Sequence, residues 1–148
     1  GSVDFDSIII IDFGNSLKSV LASLVFSDVD DEVVSYITVN QWFDESIFRS
    51  NSVKNLYFPS VDRKQFKKYN EDYYKTFLQK PDEITILSYD AIGLIYYIWN
   101  KNNTINTISD FFIKKQIKGK IGTFEFKNRQ VSQILKMYKT ENNKFKEH

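Results

Sequence analysis

Three short stretches combine residue types that could hold a ligand. The first is Asp12-Phe-Gly-Asn-Ser16, which directly follows the isoleucine run Ile8–Ile11. Such a β-branched run predicts a strand that is buried on both faces, as in a parallel sheet covered by helices. Ligands of open α/β sheets bind beyond the carboxyl ends of such strands, so Asp12 and Asn15 are candidate contacts. Asn15 or Ser16 could equally do no more than cap the next helix.

Several kinds of chemistry fit Asp12-Phe-Gly-Asn-Ser16. The stretch resembles the phosphate-binding turn of the actin and sugar-kinase superfamily, but the other glycines of the chain do not supply the second turn which that superfamily needs. An aspartyl-phosphate enzyme would carry a second acid at positions that Ile10 and Gly14 occupy here. A small-molecule cleft with the acid or the amide as polar contact is the third possibility. A strand end followed by a helix cap, with no ligand, fits equally well.

Two further stretches carry candidate contacts. Gln41 and Trp42 follow the second predicted strand, and a tryptophan beside polar amides suits ligand stacking or a protein interface. Half-buried packing is the alternative for Trp42. Tyr89 and Asp90 lie inside an apolar helix, where a charge needs a partner or a cleft. The simpler alternative places Asp90 at the exposed edge of that helix and Tyr89 in the core.

Composition narrows the classes of function. The 148 residues are 42% hydrophobic, enough for the core of one ordinary domain. The 20 basic and 19 acidic side chains are mixed along the chain, which predicts no nucleic-acid partner. Cysteine is absent and the single histidine is His148, so an internal Ser-His-Asp triad and a His-rich zinc site are excluded. The richness in Lys, Ile and Asn suggests an AT-rich genome.

Hydrophobic periodicity predicts the order βαβαβ-α-α-α-βββ, an α/β fold in which helices flank a parallel sheet and the C-terminus forms an antiparallel hairpin. The predicted elements are a strand at 7–12, a helix at 17–25, a strand at 33–39, a short helix after Asp44, a strand at 55–58 stopped by Pro59, a helix from its cap Asp62 to Phe77, a helix at 84–99, a short helix capped by Thr107, and strands near 121–126, at 132–139 and at Phe145. The helix at 84–99 is apolar nearly all round and should be the most buried. Its 16 residues, with Asp90 among them, are short of the about 20 that a membrane span needs.

The motifs, taken in order, resemble the C-terminal part of the type I periplasmic binding proteins, the leucine and branched-chain amino-acid binding class. Within that class the chain looks most like the penicillin-binding-protein activator lipoproteins of alphaproteobacteria. The stretches that carry the resemblance are Phe5–Asp12, Leu17–Leu24, Gln41–Ser46, Leu56–Pro59 with Asp62, Phe66 to Phe77 with Pro81, Ser88–Ala91, Ile121–Phe126, and Met137 to Phe145.

The resemblance implies a fragment of a two-lobed protein whose N-terminal half is missing. Residues 1–60 would belong to the second lobe, 61–126 to the first, and 127–148 would return to the second. The full protein would be periplasmic and lipid-anchored, in a low-GC Gram-negative bacterium. Because a fragment leaves sheet edges and apolar faces open, we predict that it self-associates.

The resemblance also implies a binding module and not an enzyme, so we predict no catalytic residue, no metal and no cofactor. Amino-acid receptors of this class carry glycines after both strands, whereas here only Gly14 remains and the second strand ends in Asn40-Gln41. This favours an accessory role in cell-wall synthesis with a peptidoglycan synthase as partner. A receptor for a small amino-acid-like ligand of an ABC transporter is the alternative, and a phosphate-loop enzyme is the second alternative. The candidate ligand contacts are Asp12, Asn15, Gln41, Trp42, Tyr89 and Asp90.

Overall fold

A computed structural model describes residues 3–30, 32–50, 54–128 and 130–148. Its elements, in chain order, are β1 (Ser7–Ile10), α1 (Gly14–Phe26), β2 (Ser35–Thr38), a 3-10 helix (Glu45–Ser50), β3 (Leu56–Ser60), α2 (Arg63–Phe77), α3 (Glu83–Asn102), a second 3-10 helix (Ile108–Phe111), β4 (Ile117–Lys118), β5 (Thr123–Lys127), β6 (Gln130–Ile134), β7 (Lys136–Glu141) and β8 (Lys144–Glu147). The chain divides into two compact units, one formed by the described residues up to Ser60 together with 136–148, the other by 61–135.

The first unit is built on a five-stranded sheet in the order β1-β2-β3-β7-β8. β1, β2 and β3 run parallel, and β7 and β8 form an antiparallel hairpin beside β3. The core includes Leu17 and Leu21 of α1, and an aromatic cluster in which the ring of Phe43 meets that of Tyr138 edge-on at 4.8 Å. The predicted parallel sheet with flanking helices and a C-terminal antiparallel hairpin is therefore confirmed.

β1 is not buried on both faces, so the prediction that helices cover both sides of this strand is wrong. It lies at the edge of the sheet and pairs only with β2 among the described residues, from Ser7 opposite Ser35 to Ile10 opposite Thr38. Ile10 is buried, but Ile9 and Ile11 are 69% and 77% exposed. The isoleucine run specifies a strand; it does not specify how many layers cover that strand.

Two local expectations in the first unit are also wrong. Neither Asn15 nor Ser16 caps α1: the N-cap position is Phe13, and it makes no side-chain capping bond. Pro59 does not stop β3, which continues to Ser60. Its carbonyl accepts from the Gln41 amide, so its nitrogen lies on the side of β2, beyond the last β2–β3 pair at Tyr57, where the missing N–H breaks no strand pairing. The predicted strand at 132–139 is divided between β6 and β7.

The second unit contains α2, α3 and a three-stranded antiparallel sheet in the order β4-β5-β6. Asp62 caps α2 as expected, its carboxylate accepting a hydrogen bond from the Gln65 amide at 3.0 Å. The predicted aromatic face of α2 is also present, and the Tyr73 and Phe77 rings lie 4.5 Å apart. Thr107 forms a capping box with Asp110, although the helix that it starts ends at Phe111.

α3 corrects the prediction of a fully buried helix. Its buried residues, Ile86, Asp90 and Ile98, are four and eight residues apart and fall along one narrow stripe. Leu94 is half-buried, and the remaining large apolar side chains are exposed, namely Ile84, Leu87, Tyr89, Ile92, Ile95, Tyr96, Tyr97 and Trp99. α2 and three short strands do not provide enough surface to cover a helix that is apolar all round.

Candidate functional site

The carboxyl ends of β1 and β2 bring two of the predicted site residues together in the first unit. The side-chain amide of Gln41 donates to the backbone carbonyl of Asp12 at 3.0 Å and to that of Val39 at 3.3 Å. The Thr38 hydroxyl donates to the Ile10 carbonyl at 2.7 Å, which ties the same two strands one step earlier. The Gln41 side chain therefore links the segment after β1 to the segment after β2.

The Asp12 carboxylate and the start of α1 form the polar surface of this end. One Asp12 oxygen accepts a hydrogen bond from the Phe13 amide at 2.8 Å, in an exposed position. Gly14 follows with a positive φ of 52°, a conformation that a glycine adopts without strain. No side chain caps α1, and the residues of its first turn, Gly14–Ser16, are exposed at the positive end of the helix dipole. An acid and the uncapped start of a helix therefore lie side by side.

A polar cluster that the sequence analysis missed extends this surface. Asn15 is exposed, and its side-chain oxygen lies 3.5 Å from the ammonium group of Lys18. Lys18 also contacts the Ser46 hydroxyl and pairs with the Asp44 carboxylate at 2.8 Å. Partial burial alone would raise the pKa of Asp44, but hydrogen bonds from Lys18 and Ser46 outweigh it and lower the pKa from 3.8 to about 2. Asp44 thus stays ionised at any physiological pH.

Asn40 and Trp42 flank Gln41 after β2. Trp42 is half-buried. The side-chain oxygen of Asn40 is buried and accepts no hydrogen bond from the described residues. The Gln41 backbone is fixed from two sides, its amide donating to Pro59 at 3.3 Å and its carbonyl accepting from the Ser60 hydroxyl at 2.5 Å. The loop that carries these side chains is therefore held to β3.

Asp90, the candidate contact in α3, is a structural anchor of the second unit. Its side chain is 8% exposed, and its two oxygens accept hydrogen bonds from the backbone amides of Lys120 at 2.5 Å and Ile121 at 3.2 Å. The turn between β4 and β5 is thereby fixed to the helix. The expectation that Asp90 lies at an exposed helix edge is wrong: this charge is buried and has partners.

Gly119 explains how the carboxylate comes so close to the turn. A Cβ atom at this position would stand only 2.6 Å from the Asp90 carboxylate carbon and from one of its oxygens. Any larger residue would displace either the carboxylate or the turn. The Asp90–turn contact therefore depends on a residue 29 positions away that has no side chain.

Tyr89 has the opposite environment from its neighbour. Its side chain is exposed, and its ring meets the ring of the buried Tyr69 edge-on at 5.6 Å. The expectation that Tyr89 packs in the core is therefore wrong. Asp12, Asn15 and Gln41 meet at one end of the first unit, whereas Tyr89 and Asp90 lie in the second unit.

The described residues lack two features. No group of three or more His, Cys, Asp or Glu side chains among them is placed to hold a metal ion. Within residues 3–30, 32–50, 54–128 and 130–148, no helix has the length and apolarity required to cross a membrane.

Comparison with known proteins identifies the fold. No protein-family model and no curated protein sequence matches the chain. Among solved structures, a branched-chain amino acid ABC transporter protein from Rhodospirillum rubrum superposes with a TM-score of 0.78 at 12% identity, over 97% of this chain and 44% of that one. An extracellular ligand-binding receptor from Desulfohalobium retbaense superposes with a TM-score of 0.68 at 11% identity, over 97% of this chain and 26% of that one. The chain has the type I periplasmic-binding-protein fold and spans less than half the length of either structure.

Proposed function

We propose that this chain is the ligand-binding part of a two-lobed receptor, with its two units as portions of the two lobes. The observation that carries the proposal is the polar surface at the carboxyl ends of β1 and β2. There Asp12, the uncapped start of α1 and Gln41 lie together, at the edge where parallel α/β sheets bind ligands. The fold supports the same function, since both similar structures carry the names of ligand-binding or transport proteins.

The surface suits a small amino-acid-like ligand with both charges. An ammonium group would pair with the Asp12 carboxylate, which is half-buried and holds only a local hydrogen bond among the described contacts. A carboxylate would bind the first-turn amides of α1, where the helix dipole favours an anion. Lys18 stands one turn further along and adds positive potential, although Asp44 neutralises part of it. This function is recognition without catalysis.

A second candidate is an accessory role in cell-wall synthesis, with a peptidoglycan synthase as partner. Gln41 favours it, because its side chain fills the space between the strand ends where amino-acid receptors of this class have glycines. In this version the polar surface contacts a protein and not a small ligand. For either candidate we propose a periplasmic location, and lipid anchoring of the full protein accompanies the second.

Isothermal titration calorimetry with L-leucine, L-valine and L-isoleucine tests the first candidate. We expect saturable binding that weakens at least tenfold in Asp12→Asn, since a tenfold loss corresponds to about 1.4 kcal/mol, a modest value for a charged contact. Asp28→Asn is the matched control: it removes the same charge from the exposed turn after α1, at a positive φ that asparagine tolerates.

Isothermal titration calorimetry also distinguishes the receptor from the accessory role and from the phosphate-loop enzyme. Binding of a peptidoglycan synthase ectodomain without amino-acid binding would favour the accessory role. Binding of a nucleotide with Mg²⁺ that depends on Asp12 would favour the phosphate-loop enzyme and contradict both receptor candidates.

We also propose that the 148-residue chain self-associates. The exposed apolar side chains of α3 and the exposed Ile9 and Ile11 at the edge of the first sheet form surfaces that monomeric proteins seldom leave uncovered. The occupant that we propose is a second copy of the chain.

A further inference from the structure

The five-stranded sheet of the first unit is covered on one face only. Burial alternates residue by residue along β2 and β3, so the side chains on one face are buried and those on the other are half-buried. The strand register places Ile9, Ile37 and Tyr57 in one row across β1, β2 and β3, on the less buried face. The row continues through Lys139 of β7 and Lys146 of β8. We call the surface formed by these five residues the open face; it is apolar towards β1 and basic towards β8.

α3 carries a matching surface in the second unit. Of the helices in the described ranges, it exposes the most large apolar side chains. A period of 3.6 residues per turn places four of them together on the side opposite the buried stripe of this helix. We call these four exposed residues the open stripe: Ile84, Ile92, Ile95 and Trp99.

The charges of the two surfaces have opposite sign. On the open face, the ammonium groups of Lys139 and Lys146 share one carboxylate, that of Glu141, at 3.7 Å and 2.6 Å, so positive charge is in excess there. At the start of α3, Asp82 and Glu83 are both exposed, and Asp82 makes no side-chain capping bond. The acidic start of the helix and the basic part of the sheet would therefore attract each other.

We propose that α3 of one copy packs its open stripe on the open face of a second copy, which returns the same contact. A sheet with one covered face needs a further layer, and a helix that is apolar all round needs a second surface. Each chain supplies one of each, so two copies satisfy both needs. Packing α3 against α3 would leave both open faces uncovered. This proposal rests on the self-association proposed above and names the surfaces that meet.

The size of the contact is sufficient for a specific dimer. A helix of 20 residues such as α3 is about 30 Å long and about 10 Å wide, and so covers about 300 Å² of a sheet. With both surfaces of both contacts counted, the dimer buries about 1,200 Å², the lower end of the range for stable interfaces. Because the two contacts are equal and reciprocal, the assembly closes at two copies.

Sedimentation equilibrium of charge variants, alone and mixed, tests the interface. Ile9→Lys on the open face and Ile95→Glu on the open stripe both replace exposed side chains, so both variants should fold, with the circular dichroism of the wild type. Each alone should associate at least tenfold more weakly than the wild type, because its charge enters an apolar contact. An equimolar mixture should recover the dimer, since one contact is unchanged and the charges introduced into the other have opposite sign.

Phe26→Lys is the matched control, since it adds the same charge at an exposed apolar position of the first unit, at the end of α1 and off the open face. It should associate as the wild type does and should not restore the association of Ile95→Glu. A wild-type chain that is monomeric would overturn both this interface and the self-association on which it rests. If the wild type associates, the interface alone is overturned by unchanged association of Ile9→Lys, by a mixture that stays monomeric, or by an equal loss in Phe26→Lys.

Discussion

Asp90 is a single buried carboxylate whose role can be tested directly. In Asp90→Asn an NH₂ group would face one of the two amide donors of the turn, so we expect a loss of about 1–3 kcal/mol in the free energy of unfolding. Asp72→Asn is the control, since it breaks only the partly exposed pair with Lys120 and should cost about 0–1 kcal/mol. Urea denaturation of the three proteins gives the comparison. Equal losses in the two variants would contradict the anchoring role.

Gly119 provides an independent check on the same contact. Gly119→Ala keeps the Asp90 carboxylate but forces it away from the turn, since the new Cβ would approach it to 2.6 Å. We expect a loss of stability of about the same size as in Asp90→Asn, and a double variant that loses less than the sum, because both changes remove one interaction. Additive losses in a double-mutant cycle would show that the two residues act separately.

The lowered pKa of Asp44 predicts that the fold loses stability as the pH falls. Its pKa is about 2 in the folded protein and 3.8 ordinarily, so its interactions stabilise the fold above about pH 4 and are lost as the pH falls towards 2. We measure the free energy of unfolding in urea at several pH values between 2 and 6. It should change less with pH in Asp44→Asn than in the wild type. Asp28→Asn, which lacks these partners among the described hydrogen bonds, should keep the wild-type slope. Parallel curves for the wild type and Asp44→Asn would contradict the pairing with Lys18.

At the scale of elements, the two long helices of the second unit offer a matched pair of caps. Asp62 accepts a hydrogen bond from the first turn of α2, whereas Asp82, at the same position of α3, makes no side-chain capping bond. We expect Asp62→Ala to cost about 1 kcal/mol and Asp82→Ala clearly less, since both lose the charge at the helix dipole but only the first loses the bond. Chemical denaturation measures both. A larger loss for Asp82→Ala would mean that the capping assignment is reversed.

Local sequence patterns predicted the type and position of the helices and strands better than they predicted how far each one is buried. Asp62 and Thr107 mark helix starts because capping depends on residues only three positions apart. Burial depends on which other elements of the chain pack against a strand or helix. The isoleucine run and α3 were therefore predicted correctly as a strand and a helix, but both are more exposed than predicted. The prediction that Pro59 ends the strand was wrong for a related reason. Whether a proline interrupts a strand depends on which neighbouring strand its nitrogen faces.

The candidate site was predictable only in part. Asp12 and Gln41 could be paired in advance because parallel strands end at the same edge of a sheet. The pair of Lys18 and Asp44 joins residues 26 positions apart through side chains alone, and no spacing rule indicates it.

At the scale of the whole molecule, the exposed apolar residues of α3 predict a concentration-dependent mass. Sedimentation equilibrium of the wild-type chain should show dimers or larger species, and Ile84→Glu with Ile95→Glu should shift the mass towards the monomer. Val25→Glu, at an exposed position of α1 in the other unit, is the control and should leave the association unchanged. A wild-type chain that stays monomeric at high concentration would contradict self-association.

The central claim is that the carboxyl ends of β1 and β2 form a ligand site, and an amide-resolved NMR titration tests it most directly. On addition of L-leucine, L-valine or L-isoleucine to the labelled chain, we expect saturable shifts for Gly14, Asn15 and Gln41, and for the Trp42 indole. Tyr73, which lies in the second unit, should not shift. Asp12→Asn should require at least tenfold more ligand to produce the same shifts. Titrations that leave Gly14, Asn15 and Gln41 unchanged, or that move only residues of the second unit, would contradict the proposed site.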